Sequence, residues 1–427
     1  MYNRSLAQRL QVKAGRKHGR LLVLTGARQT GKTTLAREAF RDLPYVSLED
    51  PVSRPAWSRL SASDWLSRYP QAVLDEVQKA PSVIESIRAA HDASDRARYV
   101  LLGSSQILLL SRVKESLAGR AAIEELWPLT LPELATTSWG DAVGESRLVR
   151  WLRAANGDEG PLLGMPADSQ AFSRNEALFE RYLRFGGMPA VHDADLDDGE
   201  REAWLGNYQR TYLERDVADL AALRDLEPFV LAQKAIALRT GETVNYANLA
   251  RDVSVAPGTA RRFLRYLELS YQVLVLQPFH RNPHKRLVKM PKIHFIDPGV
   301  QRAISGRRGT LTGADFESAV VAEIVKQARN ARLQVGFHHL RTHDGREVDL
   351  LIEREDGFVA VEIKAGERMA GADARHLRDL QPFLDKPLLM SLVLSRDRDA
   401  RRLAPGLLAL PVAWALGAGG APRSAAE

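Results

Sequence analysis

The sequence predicts an α/β protein of several domains with a nucleotide-binding core near its start. A chain of 427 residues is too long for one hydrophobic core, and 45% hydrophobic with 26% charged residues is an ordinary globular composition. In the first third of the chain, short apolar strands alternate with helical segments, which is typical of a parallel sheet with crossover helices. A glycine-rich loop follows the first of these strands.

Composition limits the remaining choices. There are 60 Lys and Arg against 53 Asp and Glu, a net charge of +7, which suits a polyanionic partner without identifying one. The sequence has no cysteine, which excludes disulfides and zinc–thiolate sites. Residues 403–422 form the only long stretch without charged residues, but prolines and glycines interrupt it, so it does not predict a membrane span. Its segment "LLALPVAWAL" predicts a buried strand. We therefore expect a cytoplasmic protein without a membrane span.

The loop "GARQTGKTT" (26–34) has the phosphate-loop pattern, with a predicted strand before it and a predicted helix after it. Gly26 and Gly31 let backbone amides turn toward phosphate oxygens, and Lys32 is placed to reach the β and γ phosphates of ATP. Thr33 is the expected Mg²⁺ ligand. The predicted nucleotide-binding residues are Gly26, Arg28, Gly31, Lys32, Thr33, Thr34, Asp75 and Ser105.

Two later strands of the core end in polar residues. "AVLDEVQ" ends in Asp75, which can hold Mg²⁺ through water, and Glu76, which can polarise the attacking water. An ordinary acidic helix cap is the alternative. The strand "YVLLGSSQ" ends in Ser104, Ser105 and Gln106, which either sense the γ-phosphate or form a turn.

Residues 244–279 predict a helix-turn-helix followed by apolar strands, with a possible wing. Asn245 and Thr259 are the expected helix caps. A basic surface is predicted from Arg261, Arg262 and Arg265 on the second helix and from the segment after it, which carries Arg281, Lys285, Arg286, Lys289 and Lys292. Such a cluster attracts DNA phosphates. A helical lid or a protein-docking module with solvated arginines is the alternative.

The segments "VDLLIE" and "FVAVEIK" predict a β-hairpin around the turn 354–357. This hairpin pairs Asp349 roughly opposite Glu362 and places Lys364 on the same face as Glu362. Two carboxylates can hold Mg²⁺ or Mn²⁺, and the lysine can orient or deprotonate water. His338, His339 and His343 lie nearby and are either metal ligands or polar loop residues.

"GARQTGKTT" and "VLDEVQ" resemble the ATPase core of the AAA+ type. Together with "YLRFGGMPAV" and "LVKMPKIHFIDPGV", the chain resembles a large bacterial group of ATP-binding proteins that joins this core to a C-terminal domain of long unknown function. The resemblance implies a homo-oligomer in which an arginine completes the neighbouring subunit's site. Arg120 matches that position best, with Arg112 second.

The hairpin is similar to the PD-(D/E)XK nuclease fold, a restriction-endonuclease-like α/β domain. That resemblance implies an acid on the preceding helix, Glu317 or alternatively Glu323, and a metal site of Glu317, Asp349 and Glu362. It implies Asp349, Glu362 and Lys364 as catalytic residues. The chain departs from the pattern at Val348, where the fold often has proline.

The predicted domains are a P-loop ATPase core (1–130), a helical lid (131–225), a winged helix-turn-helix (226–305) and a nuclease-like domain (310–418). The expected function is Mg²⁺-dependent ATP hydrolysis by an oligomer that binds DNA and remodels or cleaves branched DNA. The alternative is a nucleotide-dependent regulatory switch whose C-terminal domain binds DNA or protein without cutting it.

Overall fold

The computed structural model of the protein describes residues 2–16, 19–103, 117, 119–154, 158–164, 169–212, 226–281, 290–307, 309–342 and 345–419. Within these ranges the chain forms a mixed α/β structure with two sheets, one of five strands and one of eight. The predicted α/β class and the parallel N-terminal sheet are confirmed.

The five-stranded sheet is parallel throughout and has the order β2-β3-β4-β1-β5. Its strands are β1 (Leu21–Thr25), β2 (Tyr45–Ser47), β3 (Gln71–Asp75), β4 (Arg98–Leu102) and β5 (Ala121–Glu125). The helices of this part are Ala7–Ala14, Lys32–Ala39, Arg54–Ser58, Ala62–Arg68 and Pro81–Ala93, with a 3-10 turn at Val77–Lys79.

Both faces of this sheet are covered, which explains why the first four residues of β1 are all apolar. Leu21 and Val23 pack into a core on one face, whereas Leu22 and Leu24 pack with Leu35 on the other. A parallel strand buried on both faces needs side chains without charge at every position. Because the sheet is parallel, the carboxyl ends of β1 and β3 lie at the same edge.

The middle of the described chain is largely helical. Its helices are Leu131–Leu134, Arg147–Ala154, Gly160–Leu163, Ser169–Phe185, Asp198–Tyr212, Glu227–Leu238, Tyr246–Asp252, Pro257–Leu269 and Pro298–Ser305, with a 3-10 turn at Pro189–His192. Asn245 caps Tyr246–Asp252, as predicted, by accepting from two backbone amides. The prediction that Thr259 caps the next helix is wrong, because that helix already begins at Pro257, whose fixed φ suits a first turn.

The eight-stranded sheet has the order β12-β13-β11-β10-β9-β8-β6-β7. Its strands are β6 (Val273–Pro278), β7 (Lys292–Phe295), β8 (Gly336–Arg341), β9 (Glu347–Glu353), β10 (Phe358–Lys364), β11 (Leu388–Ser395), β12 (Arg401–Ala404) and β13 (Leu407–Pro411). Strands β6 and β7 thus belong to the same sheet as the C-terminal strands, with β6 pairing parallel to β8. Short 3-10 turns at Arg375–Leu377 and Gln381–Phe383 connect β10 to β11.

One long helix, Gly313–Asn330, lies between β7 and β8 in the chain, and we call it the junction helix. A reciprocal pair of hydrogen bonds between Thr312 and Asp315 starts it. Its apolar residues Val320, Val321 and Ile324 enter the core that covers one face of the eight-stranded sheet. The helix is therefore buried over most of its length.

The apolar segment "LLALPVAWAL" is only half a strand. The strand β13 ends at Pro411, and Val412–Leu416 is a buried helix. Proline lacks the amide that the next ladder bond needs, and it suits the residue before a helix start. Across the described ranges, every helix is too short or too polar to cross a bilayer.

Candidate nucleotide site and carboxylate cluster

The phosphate loop lies between β1 and the helix Lys32–Ala39. Gly31 has φ of 90°, a left-handed conformation that favours glycine, and forms the cap of this helix. Gly26 has φ of 148°, and a Cβ there would come within 2.1 Å of the Leu126 carbonyl oxygen. Both glycines are thus required by backbone geometry, and the helix start turns its free amides toward the loop.

Lys32, Thr33 and Asp75 come together at the edge where β1 and β3 end. The Lys32 ammonium donates to the carbonyls of Gly26 and Ala27, at 3.0 and 2.7 Å. Thr33 Oγ1 donates to Asp75 Oδ2 at 2.7 Å, and the Tyr45 hydroxyl donates to the same oxygen at 2.5 Å. Burial, and then the Asp75 carboxylate, raise the pKa of Tyr45, so its hydroxyl keeps its proton.

Glu76 has a strained backbone, with φ of 56°, which is uncommon for a residue with a Cβ. Its amide donates to Asp75 Oδ1 at 2.9 Å, and Gln78 donates to its carboxylate. Strain of this kind persists where the surrounding contacts enforce it, and it is frequent at functional sites. This left-handed conformation ends the direction of β3, and Glu76 lines the cavity beside the phosphate loop.

A cavity of about 500 Å³ opens beside the loop. It is lined by Lys32, Thr33, Asp75 and Glu76 on the core side and by Trp204 and Tyr208 of the helix Asp198–Tyr212 on the other. The two rings stack with centroids 5.4 Å apart, and the Tyr208 hydroxyl donates to the Arg28 carbonyl. A second cavity of about 540 Å³ shares Gly31 and Thr34 with the first and continues to Tyr2, Leu129, Trp139 and His192.

These residues fit a nucleotide with Mg²⁺. A hydroxyl and a carboxylate, Thr33 and Asp75, share one hydrogen bond at the cavity wall, and oxygen ligands of this kind are those that Mg²⁺ prefers. The neighbouring ammonium of Lys32 offers the charge that phosphate oxygens need. The connected second cavity supplies partly apolar walls of the kind that a nucleoside requires.

The second group of charged residues lies under the C-terminal sheet. The Lys292 ammonium is 2.7 Å from Glu317 Oε1, 3.2 Å from Glu347 Oε1 and 3.3 Å from Asp349 Oδ1. We call these three acids the carboxylate cluster. Lys292 is only 2% exposed, so it does not belong to the DNA-facing basic surface that the sequence predicts. Burial and Asp349 raise the pKa of Glu317 in spite of Lys292.

The hairpin of β9 and β10 has the expected register. Leu350 pairs with Val361, so the next step brings Asp349 opposite Glu362. Asp349 Oδ2 accepts from the Ile363 amide at 2.9 Å, and Lys364 Nζ lies 2.6 Å from Glu362 Oε1. Burial and the nearby Asp349 raise the pKa of Glu362. In the part of the chain that the structure describes, however, no three acids or histidines are placed to share a metal ion.

The alternative acid, Glu323, lies elsewhere. Its carboxylate accepts from the Leu131 amide at 2.7 Å and pairs with Lys326 at 2.9 Å, so it faces the helix Leu131–Leu134 and not the hairpin. The helix turns it away from the hairpin, and it is not part of the carboxylate cluster. His338 pairs with Glu353 at 3.1 Å, and burial followed by Lys292 lowers the pKa of His339 to about 4.

Other predicted residues are on the surface. Arg261, Arg262 and Arg265 are exposed on the helix Pro257–Leu269; Arg265 pairs with Glu268 at 2.5 Å and Arg262 contacts Thr259. Arg120 pairs with Asp92 at 2.8 Å and is 42% exposed. Several predicted residues fall outside the described ranges, namely Ser104, Ser105, Gln106, Arg112, Lys285, Arg286, Lys289 and His343.

Comparison with protein families assigns the first part of the chain. Residues 18–135 match the model of the AAA domain, and they contain the phosphate loop and the Asp75–Glu76 pair. We call this part of the chain the AAA-type domain, after the model that it matches. After it, residues 176–310 and 312–413 match two domains of unknown function, DUF8612 and DUF4143. The limit between these two matches falls between β7 and β8 in the chain, although both strands belong to the eight-stranded sheet.

Relatives extend beyond the AAA-type domain. Uncharacterized proteins of Mycobacterium tuberculosis and Mycobacterium bovis are each 29% identical over 356 residues, which cover 81% of this chain and 70% of theirs. Among solved structures, a Walker-type ATPase of Pyrococcus abyssi is 15% identical with a TM-score of 0.44, covering 71% of this chain and 96% of that one.

Sequence reasoning missed four residues of these sites. Tyr45 is not part of a recognisable sequence motif. Its hydroxyl reaches Asp75 because β2 and β3 are neighbours in the sheet. Trp204 and Tyr208 come from a helix that is distant in sequence. Glu347 was two residues from Asp349, and its alternation with Asp349 on β9 was the one available signal.

Proposed function

We propose that this protein is a Mg²⁺-dependent ATPase whose nucleotide site controls the C-terminal half of the chain. One observation carries the proposal: the segment 129–131 lines the second cavity and also hydrogen-bonds to the junction helix. Leu129 lines the second cavity, and its carbonyl accepts from Lys326 Nζ at 3.2 Å. Two residues later, the Leu131 amide donates to Glu323. A shift of this segment would therefore change the hydrogen bonds of Lys326 and Glu323, two buried charged residues of the junction helix.

The proposed chemistry needs few residues. Lys32 binds the β and γ phosphates, and Thr33 with Asp75 holds Mg²⁺, which neutralises charge on the phosphates when it is bound. Glu76 accepts a proton from the attacking water or orients it. Phosphate release from ATP by the purified protein, with Mg²⁺ and with EDTA, tests this step. Absence of Mg²⁺-dependent release would exclude hydrolysis.

The junction helix extends the effect to the carboxylate cluster. Glu317 is six residues before Glu323 on the same helix, about 9 Å along its axis. Because the helix is buried, it moves as one piece with the sheet that it covers. This connection supports the switch, in which the C-terminal half changes its contacts with a partner according to the nucleotide bound.

DNA is the partner that we propose. Three exposed arginines, Arg261, Arg262 and Arg265, line the helix Pro257–Leu269, and the net charge of +7 favours polyanions. The same helix follows a shorter one and precedes the antiparallel strands β6 and β7, the order of a winged helix-turn-helix. Cleavage of the DNA is not part of the proposal, because Lys292 sits among the acids that would hold the metal ion.

Charge removal tests the DNA surface. The double variant Arg261→Ala, Arg262→Ala is expected to weaken DNA binding equally across sequences and to lower the slope of log K against log salt by about 1 to 2. Fluorescence anisotropy with single-stranded, duplex and branched DNA at several salt concentrations measures this. Arg41→Ala, which removes an exposed arginine paired with Glu38 on the AAA-type domain, is the matched control.

An unchanged salt slope in the double variant would assign these arginines to the solvated surface. If the wild type binds none of the three DNAs at low salt, DNA is not the partner and a protein partner takes its place in the switch. Stimulation of ATP hydrolysis by one of the DNAs would connect the two activities.

We also propose that the protein works as a homo-oligomer with Arg120 acting on the neighbouring subunit's ATP. Arg120→Ala is expected to keep ATP binding and lose hydrolysis, because a positive charge near the γ-phosphate stabilises the transition state. Mixing it with Lys32→Ala subunits is expected to restore part of the activity, since an intact loop then meets an intact arginine. No recovery in a mixture shown to co-assemble would contradict the role.

A further inference from the structure

The carboxylate cluster already contains a cation. Lys292 Nζ lies between 2.7 and 3.3 Å from one oxygen each of Glu317, Glu347 and Asp349. These acids come from the junction helix and from β9, whereas the lysine comes from β7 at the far edge of the sheet. Three elements that are separate in sequence therefore meet at one ammonium group.

A divalent cation does not fit this arrangement. Mg²⁺ or Mn²⁺ binds carboxylate oxygens at about 2.1 Å, and in the carboxylate cluster one oxygen of each acid already faces Lys292. An ammonium and a divalent ion within a few ångströms of each other repel strongly in a buried site. Glu317 and Asp349, two of the three metal ligands that the nuclease resemblance implies, therefore already share a cation.

The position of Lys292 is fixed by its backbone. It pairs with Leu276 on β6, and Thr243 bridges to its other side. From this fixed backbone the side chain runs under the sheet, where it is almost completely buried. Burial disfavours the charge of Lys292, but Glu317 and Asp349 raise its pKa, so the ammonium stays protonated.

We propose that the ammonium of Lys292 replaces the divalent metal ion in the carboxylate cluster, so that the cluster binds neither Mg²⁺ nor Mn²⁺. The lysine then has the structural role of a resident cation, tying the junction helix and β9 to β7. The C-terminal domain is a binding or structural unit rather than a metal-dependent nuclease. This inference is independent of ATP hydrolysis and of the DNA surface.

Mn²⁺ binding to the full chain, measured by electron paramagnetic resonance without nucleotide, tests the proposal. Any Mn²⁺ binding by the wild type is expected to be the same in Glu317→Gln, because the carboxylate cluster does not contribute to it. Lys292→Met keeps the length of the side chain without its charge, and it is expected to bind Mn²⁺ at least about a hundredfold more tightly than the wild type. Adding Glu317→Gln to Lys292→Met should remove that gain.

Lys386→Met is the matched control. Lys386 pairs at 3.0 Å with Glu353 of β9, which lies outside the carboxylate cluster. This variant should bind Mn²⁺ like the wild type. Thermal unfolding gives a second readout: Mn²⁺ should raise the melting temperature of Lys292→Met and not that of Lys386→Met.

Two results would overturn the proposal. One is Mn²⁺ binding by the wild type that depends on Glu317. The other is a Lys292→Met protein whose Mn²⁺ affinity and melting temperature match those of the control. If Lys292→Met does not fold alone, refolding with and without Mn²⁺ decides the question, since recovery by the metal supports the replacement and failure to recover contradicts it.

Discussion

Replacing Lys32 by alanine is expected to weaken ATP binding by about a hundredfold or more. The buried ammonium donates to two loop carbonyls, and it lines the cavity beside the phosphate loop. Charged hydrogen bonds to phosphate contribute about 1.5–3 kcal/mol each, and alanine removes more than one. Titration with a fluorescent ATP analogue measures the loss, and phosphate release should fall with it.

Glu76→Gln is the companion variant that separates binding from hydrolysis. The amide keeps the size of the carboxylate but cannot accept a proton, so ATP binding should remain while turnover falls by about 10²–10⁴-fold. Equal rates for Glu76→Gln and the wild type would remove Glu76 from the mechanism. Equal ATP affinity for Lys32→Ala and the wild type would remove the phosphate loop from nucleotide binding.

The largest effect on stability is expected from Glu323. This side chain is fully buried, pairs with the equally buried Lys326, and accepts from the Leu131 amide. Glu323→Ala leaves an uncompensated ammonium and an unpaired amide in the interior, which costs about 3–5 kcal/mol. Urea denaturation followed by fluorescence should show the lower midpoint.

A second variant distinguishes charge from packing. In Glu323→Leu with Lys326→Met both charges are replaced by apolar groups of similar size. The part of the stability that was lost to the uncompensated ammonium should return, whereas the Leu131 amide stays unpaired. Arg41→Ala breaks an exposed pair with Glu38 and should cost less than about 1 kcal/mol. A loss for Glu323→Ala no larger than that of Arg41→Ala would show that the buried pair does not hold the junction helix to the AAA-type domain.

Local patterns predicted much of the fold and of the nucleotide site. The phosphate loop and the Asp75–Glu76 pair are each contained in a few consecutive residues, so their chemistry is readable without the fold. Strand alternation and the turn at 354–357 were sufficient for the pairing of Asp349 with Glu362, since both strands belong to one hairpin.

The partners of buried charges were not predictable in this way. Lys292 lies 57 residues before Asp349, and nothing in the sequence around it distinguishes it from the lysines and arginines that precede it. Glu317 and Glu323 occupy the same helix with similar neighbours, and only the packing of that helix decides which one faces the hairpin. Residue type and hydrophobic periodicity predict which side of a helix or strand a residue occupies. Which residues pack against that side depends on the whole fold.

The shared eight-stranded sheet also determines how this protein can be divided in the laboratory. A fragment that starts at residue 310 would keep β8 to β13 but lose β6, leaving the backbone of β8 as a bare edge that invites aggregation. It would also lose Lys292, so Glu317, Glu347 and Asp349 would repel one another without a counterion. Expression of the DUF4143 region should therefore begin before β6, near residue 240, where Gly241 and Val244 hydrogen-bond to the β7 segment.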